Sequence, residues 1–265
     1  MKNKKSEILK IDQLDIQFPI FGGVFQKTIS TVHAVKKVSL SLMKGETLGI
    51  VGESGSGKST LGNAILNVLR LTAPDVKISG KVSLLQDNEE IELLNLSRSE
   101  MKPFRKHIQM IFQDPYSSLN PRMIVKDIIR EPLNINTNLT ASEKDEKVAW
   151  LLSKVGLSME QSNRYPHEFS GGQRQRIGIA RALATDPSII IADEPVSALD
   201  VSIQAQIINL MMDLQDEFNL SILFIAHDLS VVKHISDRVA VMFSGELVEI
   251  QDTNQIFNHP KHDYT

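Results

Sequence analysis

Nine residues, Gly52-Glu53-Ser54-Gly55-Ser56-Gly57-Lys58-Ser59-Thr60, separate a continuous apolar run, Leu48 to Val51, from a helical stripe of Leu61, Ala64, Ile65, Val68 and Leu69. The string fits G-x-x-x-x-G-K-[ST] without a departure, in the strand-before, helix-after setting that the pattern requires. It forces a strand–loop–helix unit. Gly52, Gly55 and Gly57 let the backbone turn so that successive N–H groups point inward and cradle phosphate oxygens. The positive end of the following helix favours the same anion. Lys58 is then placed to reach the β- and γ-phosphates of a nucleotide, and Ser59 to ligate Mg²⁺. A glycine-rich turn with a surface lysine is the bland reading, and the flanking elements argue against it.

The rest of the chain agrees with such a unit. Ile108 to Phe112, Ile189 to Ala192, Ile222 to Ala226 and Val239 to Phe243 are also continuous apolar runs rather than alternating ones. Unbroken runs mark parallel strands covered on both faces. Between them Ile203, Ile207, Leu210, Met211, Leu214 and Phe218 share one helical face. Strands alternating with helices imply an α/β domain with a mostly parallel sheet.

Two regions depart from that rhythm. Ile11 to Phe18 and Val38 to Leu42 read as strands of a small N-terminal antiparallel sheet, separated by a loop, Pro19 to Thr31, containing Gly22-Gly23. Asp114 to Phe169 lacks buried-strand runs and holds Pro115, Pro121, Pro132 and Pro166. Within it Thr140-Ala-Ser-Glu143 is a capping box, Val148, Leu151, Leu152 and Val155 form an apolar face, and Gly156 suits a C-cap. Glu143 and Lys147 stand at i,i+4 spacing. The reading is one domain over 1–265, with residues 1–113 and 171–265 as α/β core and 114–170 as an inserted helical subdomain.

Composition removes several classes. There is no cysteine, so disulfides, thiolate zinc sites and cysteine-held iron–sulfur clusters are excluded within this chain. The formal net charge is −3, and Lys2, Lys4 and Lys5 make only a short basic start, read as a solvated terminus. No secretory signal follows those lysines. No apolar run approaches the ~20 residues that span a bilayer, so a membrane role is expected to come by docking to something else.

Four further strings carry chemistry. The run Ser188 to Ala192 ends in Asp193-Glu194, at the strand edge where parallel sheets bind ligands. Asp193 suits Mg²⁺, directly or through water, and Glu194 suits polarising a water. Capping of the turn at Pro195 is the alternative use of that pair. His227 follows the Ile222–Ala226 run and is placed to reach a γ-phosphate, though a histidine there is most often a polar loop residue. Gln113 ends the Ile108–Phe112 run at the start of the insertion, where it can contact Mg²⁺ or water. Ser170-Gly171-Gly172-Gln173 opens a helix and offers a second anion site through unpaired N–H groups, or else a plain N-cap. A spare anion site beside a complete phosphate loop implies a nucleotide shared with a second subunit.

Together these strings resemble the ATP-binding cassette (ABC) ATPases over nearly the whole chain. Gly52–Thr60 is similar to the Walker A loop, Gln113 to the Q-loop glutamine, and Phe169–Gln173 to the signature motif, with Phe169 where Leu is commoner. Ile189–Glu194 resembles Walker B, Ser197-Ala198-Leu199-Asp200 the D-loop, and His227 the switch histidine. The resemblance implies a P-loop ABC cassette: a mostly parallel core sheet, an N-terminal antiparallel β subdomain and an inserted helical subdomain. It implies ATP contacts from Gly52 through Thr60, including Glu53, Ser54 and Ser56, and from Gln113, Asp193, Ser170, Gly171, Gly172, Gln173 and Asp200. Mg²⁺ would be held by Ser59, Gln113 and Asp193, and hydrolysis carried by Glu194, His227 and Lys58. Phe18, Phe21 and Phe25 are the candidates to stack on adenine.

Longer strings, Ile111-Phe-Gln-Asp-Pro-Tyr-Ser-Ser-Leu-Asn-Pro-Arg122 and Asp193-Glu-Pro-Val-Ser-Ala-Leu-Asp-Val-Ser-Ile-Gln-Ala-Gln206, resemble the dipeptide/oligopeptide importer ATPases. Gly172-Gln-Arg-Gln-Arg176 is similar to the F-type subunit. That implies a D-type ATPase partner, two membrane permease subunits, an extracytoplasmic peptide-binding protein acting indirectly, no nucleic acid, and a place on the cytoplasmic face of the membrane. His259-Pro-Lys-His-Asp-Tyr-Thr265 resembles the family's His-Pro-x-His-Pro-Tyr-Thr string with Asp263 for Pro. Relatives continue beyond it, so a short form or a fragment is expected. The rival readings are an ABC-type ATPase acting on nucleic acid or ribosomes, an exporter cassette, and a non-catalytic regulatory cassette.

Overall fold

The computed structural model describes residues 6–22, 27–86 and 89–265. In chain order its elements are β1 (Glu7–Gly22), β2 (Lys27–Met43), β3 (Thr47–Val51), α1 (Lys58–Ile65), α2 (Leu69–Thr72), β4 (Lys77–Gln86), β5 (Glu89–Glu92), α3 (Arg98–Arg105) and β6 (Ile108–Ile111). Then follow α4 (Val125–Asn136), α5 (Ala141–Lys154), two 3₁₀ turns (Met159–Asn163 and Pro166–Glu168), α6 (Gly171–Leu183), β7 (Ile189–Asp193) and α7 (Val201–Phe218). The chain closes with β8 (Ser221–Ile225), α8 (Leu229–Ile235), β9 (Arg238–Phe243), β10 (Glu246–Asp252) and α9 (Thr253–Asn258). They form two compact units, residues 1–101 with 221–265, and residues 102–220.

The first unit holds an antiparallel sheet in the order β2-β1-β4-β5 and core strands in the order β10-β9-β3-β8. β3 pairs parallel with both β8 and β9, through Ile50↔Ile225 and Ile50↔Ala240 among others. β10 closes that edge antiparallel to β9. Every residue of β3 and β8 is buried, which is why their sequences read as unbroken apolar runs. Each large aliphatic side chain so buried contributes roughly 1.5–3 kcal/mol. Arg238 and the buried Glu46 form an ion pair at 3.1 Å, and Glu46 also accepts the Met43 N–H at 2.7 Å.

The N-terminal strands run further than the sequence suggests. The expected Pro19–Thr31 loop is instead mostly hairpin: Phe18↔Val32, Pro19↔Thr31, Ile20↔Ser30 and Phe21↔Thr28 are paired. β4 pairing with β1 stops at Gln17↔Lys77, so Pro19 lies where one edge of β1 carries no ladder and its missing N–H costs little. Gly23 and Phe25, like Lys2, Lys4 and Lys5, lie outside the described residues.

The helical stripe from Leu61 to Leu69 is also interrupted. α1 ends at Ile65, and Asn67 adopts a left-handed conformation, φ 51°, before α2 begins. Its side-chain amide donates to the Leu93 and Leu96 carbonyls at 2.8 and 2.9 Å, which holds the break open.

The second unit carries the parallel pair β6–β7 and the helices α4 to α7. α5 starts at the expected capping box: the Glu143 N–H donates to Thr140 Oγ1 at 3.3 Å, and the Thr140 N–H to Glu143 Oε2 at 2.7 Å. Val148, Leu151, Leu152 and Val155 are buried, and Gly156 turns the chain at φ 71°. The expected Glu143–Lys147 pair is replaced. Lys147 reaches Asp186 at 2.7 Å, because the Glu143 carboxylate is held by the cap.

Candidate nucleotide-binding site

The phosphate loop joins β3 to α1 within the first unit. Gly57 is the N-cap of α1 at φ 99°, and a Cβ there would lie 2.1 Å from the Ala34 carbonyl oxygen. Gly52, at φ 153°, would press a Cβ against the Met242 carbonyl at 2.1 Å. Two neighbouring strands therefore approach the loop too closely for side chains at these positions. Lys58 is 4% exposed despite its charge. Its ammonium donates to the Gly52 and Glu53 carbonyls at 2.8 Å each, so the loop wraps its own cation. Ser56 is buried, Ser59 and Thr60 are half-buried in the first turn of α1, and Glu53, Ser54 and Gly55 face outward.

A cleft of about 500 Å³ opens beside this loop, lined by Gly52 and Glu53, by His227 just after β8, and by Phe257, Pro260 and Tyr264 of the C-terminal segment. His227 is exposed there. Asp228, next to it, caps α8 by accepting the Ser230 N–H at 2.8 Å.

In the second unit, Asp193 is the buried last residue of β7 and Glu194 follows it in a left-handed conformation, φ 46°. That backbone is uncommon for a residue other than glycine and concentrates at functional sites. It is braced by Ser197, whose N–H and hydroxyl both donate to the Glu194 carbonyl, at 3.2 and 3.1 Å. Gln113, just beyond β6, donates its side-chain amide to Glu194 Oε2 at 3.0 Å. The parallel β6–β7 pairing brings these two sequence-distant residues together, with Ile111 opposite Ala192.

Ser170 caps α6 with a capping box: the Gln173 N–H donates to Ser170 Oγ at 3.3 Å, and Gln173 Oε1 accepts the Ser170 N–H at 3.0 Å. The N-cap reading of this string thus holds, and it uses Gln173 structurally. Helix geometry leaves the first-turn N–H groups of Gly171 and Gly172 without intrahelical acceptors. Gly172 has a packing reason as well, since a Cβ would meet Ile203 Cγ2 at 2.5 Å. Asp200 is the N-cap position of α7 but makes no side-chain capping bond.

Sequence reasoning missed the ties around Gln113. Arg181 donates to the Ser118 carbonyl at 2.6 Å and stands over the Phe112 ring at 5.7 Å. Burial lowers its pKa, and the nearby Glu131 opposes that shift. Arg174 stands over the Tyr116 ring at 4.8 Å. Two arginines of α6 thereby grip the segment that follows Gln113. Their seven-residue spacing, two helical turns, was the available signal.

A family model described as ABC transporter matches residues 35–197. The chain belongs to the ABC transporter family. The matched span includes the phosphate loop, Gln113, Ser170–Gln173, Asp193 and Glu194. It is an ABC ATPase cassette. It is 53% identical over 259 residues to the oligopeptide transport ATP-binding protein AppF of Bacillus subtilis strain 168, covering 97% of this chain and 76% of that one. It is 50% identical to the glutathione import ATP-binding protein GsiA of Pectobacterium atrosepticum, covering 97% of this chain but 40% of that one. Among solved structures it resembles CbiO1 of Clostridium perfringens, part of the ABC transporter complex CbiONQ (TM-score 0.77, 27% identity, 96% of this chain and 92% of that one). It also resembles the ATP-binding cassette MJ0796, in a dimeric post-hydrolysis structure bound to ADP and Pi (TM-score 0.76, 28% identity, 93% and 99%).

As an ABC cassette the chain carries two described adenine candidates: Phe18, half-buried on β1, and Phe21, 44% exposed near the hairpin tip. Phe25 lies outside the described residues. Among the described residues no helix is long and apolar enough to cross a membrane.

Proposed function

We propose that this chain is the ATP-hydrolysing subunit of an ABC importer for peptides. The nucleotide reading is carried by Lys58, a buried ammonium enclosed by loop carbonyls at the start of α1. The peptide reading is supported by the 53% identity to an oligopeptide transport ATP-binding protein along nearly the whole chain. Lys58 and the loop N–H groups other than those of Glu53 and Ser56, which donate within the protein, hold the phosphates, Glu194 polarises the attacking water with Gln113 orienting its carboxylate, and His227 contacts the γ-phosphate.

Mg²⁺ belongs to this reading as a companion of the nucleotide. Among the described residues no group of three or more His, Cys, Asp or Glu side chains is arranged to hold a metal ion. Ser59, Gln113 and Asp193 offer a hydroxyl, an amide and one carboxylate, which suits a hard ion that brings phosphate oxygens and water with it. When bound, that ion neutralises phosphate charge.

Two cassettes, this one and a D-type partner, act as a nucleotide sandwich, with Ser170, Gly171, Gly172, Gln173 and Asp200 of each chain facing the nucleotide of the other. ATP bridges the pair, and hydrolysis removes the bridge. The helical subdomain, residues 114–170, passes the motion to two permease subunits at the cytoplasmic face of the membrane, and an extracytoplasmic binding protein delivers the peptide. No observation favours a nucleic-acid partner. Affinity purification of the tagged chain from gently solubilised membranes tests the reading: permease subunits, a second ATPase and bound peptide are expected. Recovery of ribosomal proteins or DNA alone overturns it.

A further inference from the structure

The phosphate loop is held from outside as well as from within. The Lys58 ammonium takes the Glu53 carbonyl at 2.8 Å, while the Glu53 N–H donates to the hydroxyl oxygen of Tyr264 at 3.2 Å. One residue of the loop is therefore gripped on both sides, by the loop's own cation and by the C-terminal segment. The Tyr264 ring is itself packed on Phe243, centroids 4.3 Å apart, at the end of β9. The turn after β9 reaches the same loop, where the Gly245 N–H donates to the Ser56 carbonyl at 3.2 Å.

The segment that presents Tyr264 is fastened to β10. The Glu249 carboxylate, 9% exposed, accepts the N–H groups of Lys261 at 2.9 Å and His262 at 3.1 Å. Gln251 donates to the same carboxylate. Burial alone would raise the Glu249 pKa, but these donors outweigh it and hold it down at about 2. The His262 ring nitrogen then accepts the Tyr264 N–H at 3.1 Å, which sets the tyrosine's direction. A carboxylate held by several backbone donors is a strong, charge-assisted anchor.

We propose that Tyr264 is a positioning residue for nucleotide binding: its hydroxyl fixes the Glu53 peptide, and through it the place of the Lys58 ammonium, with Glu249 as the anchor of the segment that carries it. The proposal rests on the nucleotide reading of the loop. A hydrogen bond to a loop peptide sets how well the loop is formed before ATP arrives, so its loss falls on ATP affinity more than on the chemical step.

The test is Tyr264→Phe, which keeps the ring on Phe243 and removes only the hydroxyl. ATP affinity is expected to weaken roughly two- to tenfold, the worth of one hydrogen bond. In the assembled transporter KM for ATP rises while kcat stays within about twofold, a split that general destabilisation would not produce. Hydrogen exchange at the Glu53 amide quickens, and that at Ile50 in β3 does not change. Glu249→Gln, which leaves Tyr264 in place but weakens its anchor, gives an effect of the same kind and smaller size. Unchanged ATP affinity and Glu53 exchange in Tyr264→Phe overturn the proposal. A wild-type chain that binds no ATP overturns the nucleotide reading, and this inference with it.

Discussion

The Gln113 side-chain amide donates to Glu194 Oε2 at 3.0 Å, and Glu194 itself is held in a left-handed backbone. An exposed glutamine at the mouth of the helical segment thus touches the one carboxylate proposed to polarise water. Glu194→Gln preserves shape and hydrogen bonding and removes the base. Turnover is expected to fall by about 10²–10⁴-fold, with ATP-dependent association of the cassettes retained. Phosphate release and size-exclusion chromatography with ATP read the two effects separately, and normal turnover would strip Glu194 of the role.

Gly57 and Gly55 separate steric from conformational need in the phosphate loop. Gly57→Ala drives a Cβ to 2.1 Å from the Ala34 carbonyl, so the loop must move and ATP affinity should fall more than about tenfold. Gly55, at φ 81°, has open space where a Cβ would go. Gly55→Ala then carries only the left-handed strain of about 1–2 kcal/mol. Titration with a fluorescent ATP analogue should rank wild type, Gly55→Ala and Gly57→Ala in that order.

At the start of α6, Gly172 and Ile203 are coupled by space. Gly172→Ala places a Cβ 2.5 Å from Ile203 Cγ2 and should destabilise the fold by about 1–3 kcal/mol. Adding Ile203→Ala removes the obstacle, so the double variant should be more stable than the sum of the single ones. Ser170→Ala, which deletes the cap alone, should cost about 1 kcal/mol. Urea denaturation measures all four, and strict additivity at 172 and 203 would refute the packing role.

Glu249 makes the C-terminal anchor acid-sensitive. Its folded pKa lies at about 2 against an ordinary 4.5, so the unfolded or released carboxyl binds its proton more tightly. The anchor is at full strength above about pH 4.5 and is lost progressively as pH falls toward 2. Hydrogen exchange at the Lys261 and His262 amides, corrected for intrinsic pH dependence, should rise over that window. In Glu249→Gln it should already be raised at neutral pH and show no such rise.

The parts of this protein that are local in sequence were legible there. Each of the five apolar runs is a strand, because a doubly covered strand needs no polar face. The α5 capping box was legible because its two partners stand three residues apart. Illegible parts involve groups that compete for one partner, or residues far apart. Lys147 had Glu143 within reach on its own helix but pairs with Asp186, and nothing local says so. Pro19 and Gly22 read as parts of a loop, yet one unladdered edge of β1 admits them to a hairpin.

Legible in the sequence alone were the glycine-rich loop between β3 and α1, the acids at the end of β7 and an N-cap at Ser170 as one of two readings, because each is set by residue types at short fixed spacings. Tertiary structure alone decides that Met242 and Ala34 crowd Gly52 and Gly57, that Gln113 meets Glu194, and that Tyr264 grips Glu53. Those contacts join residues tens to hundreds of positions apart. Only the strand order and the packing of loops on strands place such residues within hydrogen-bonding distance.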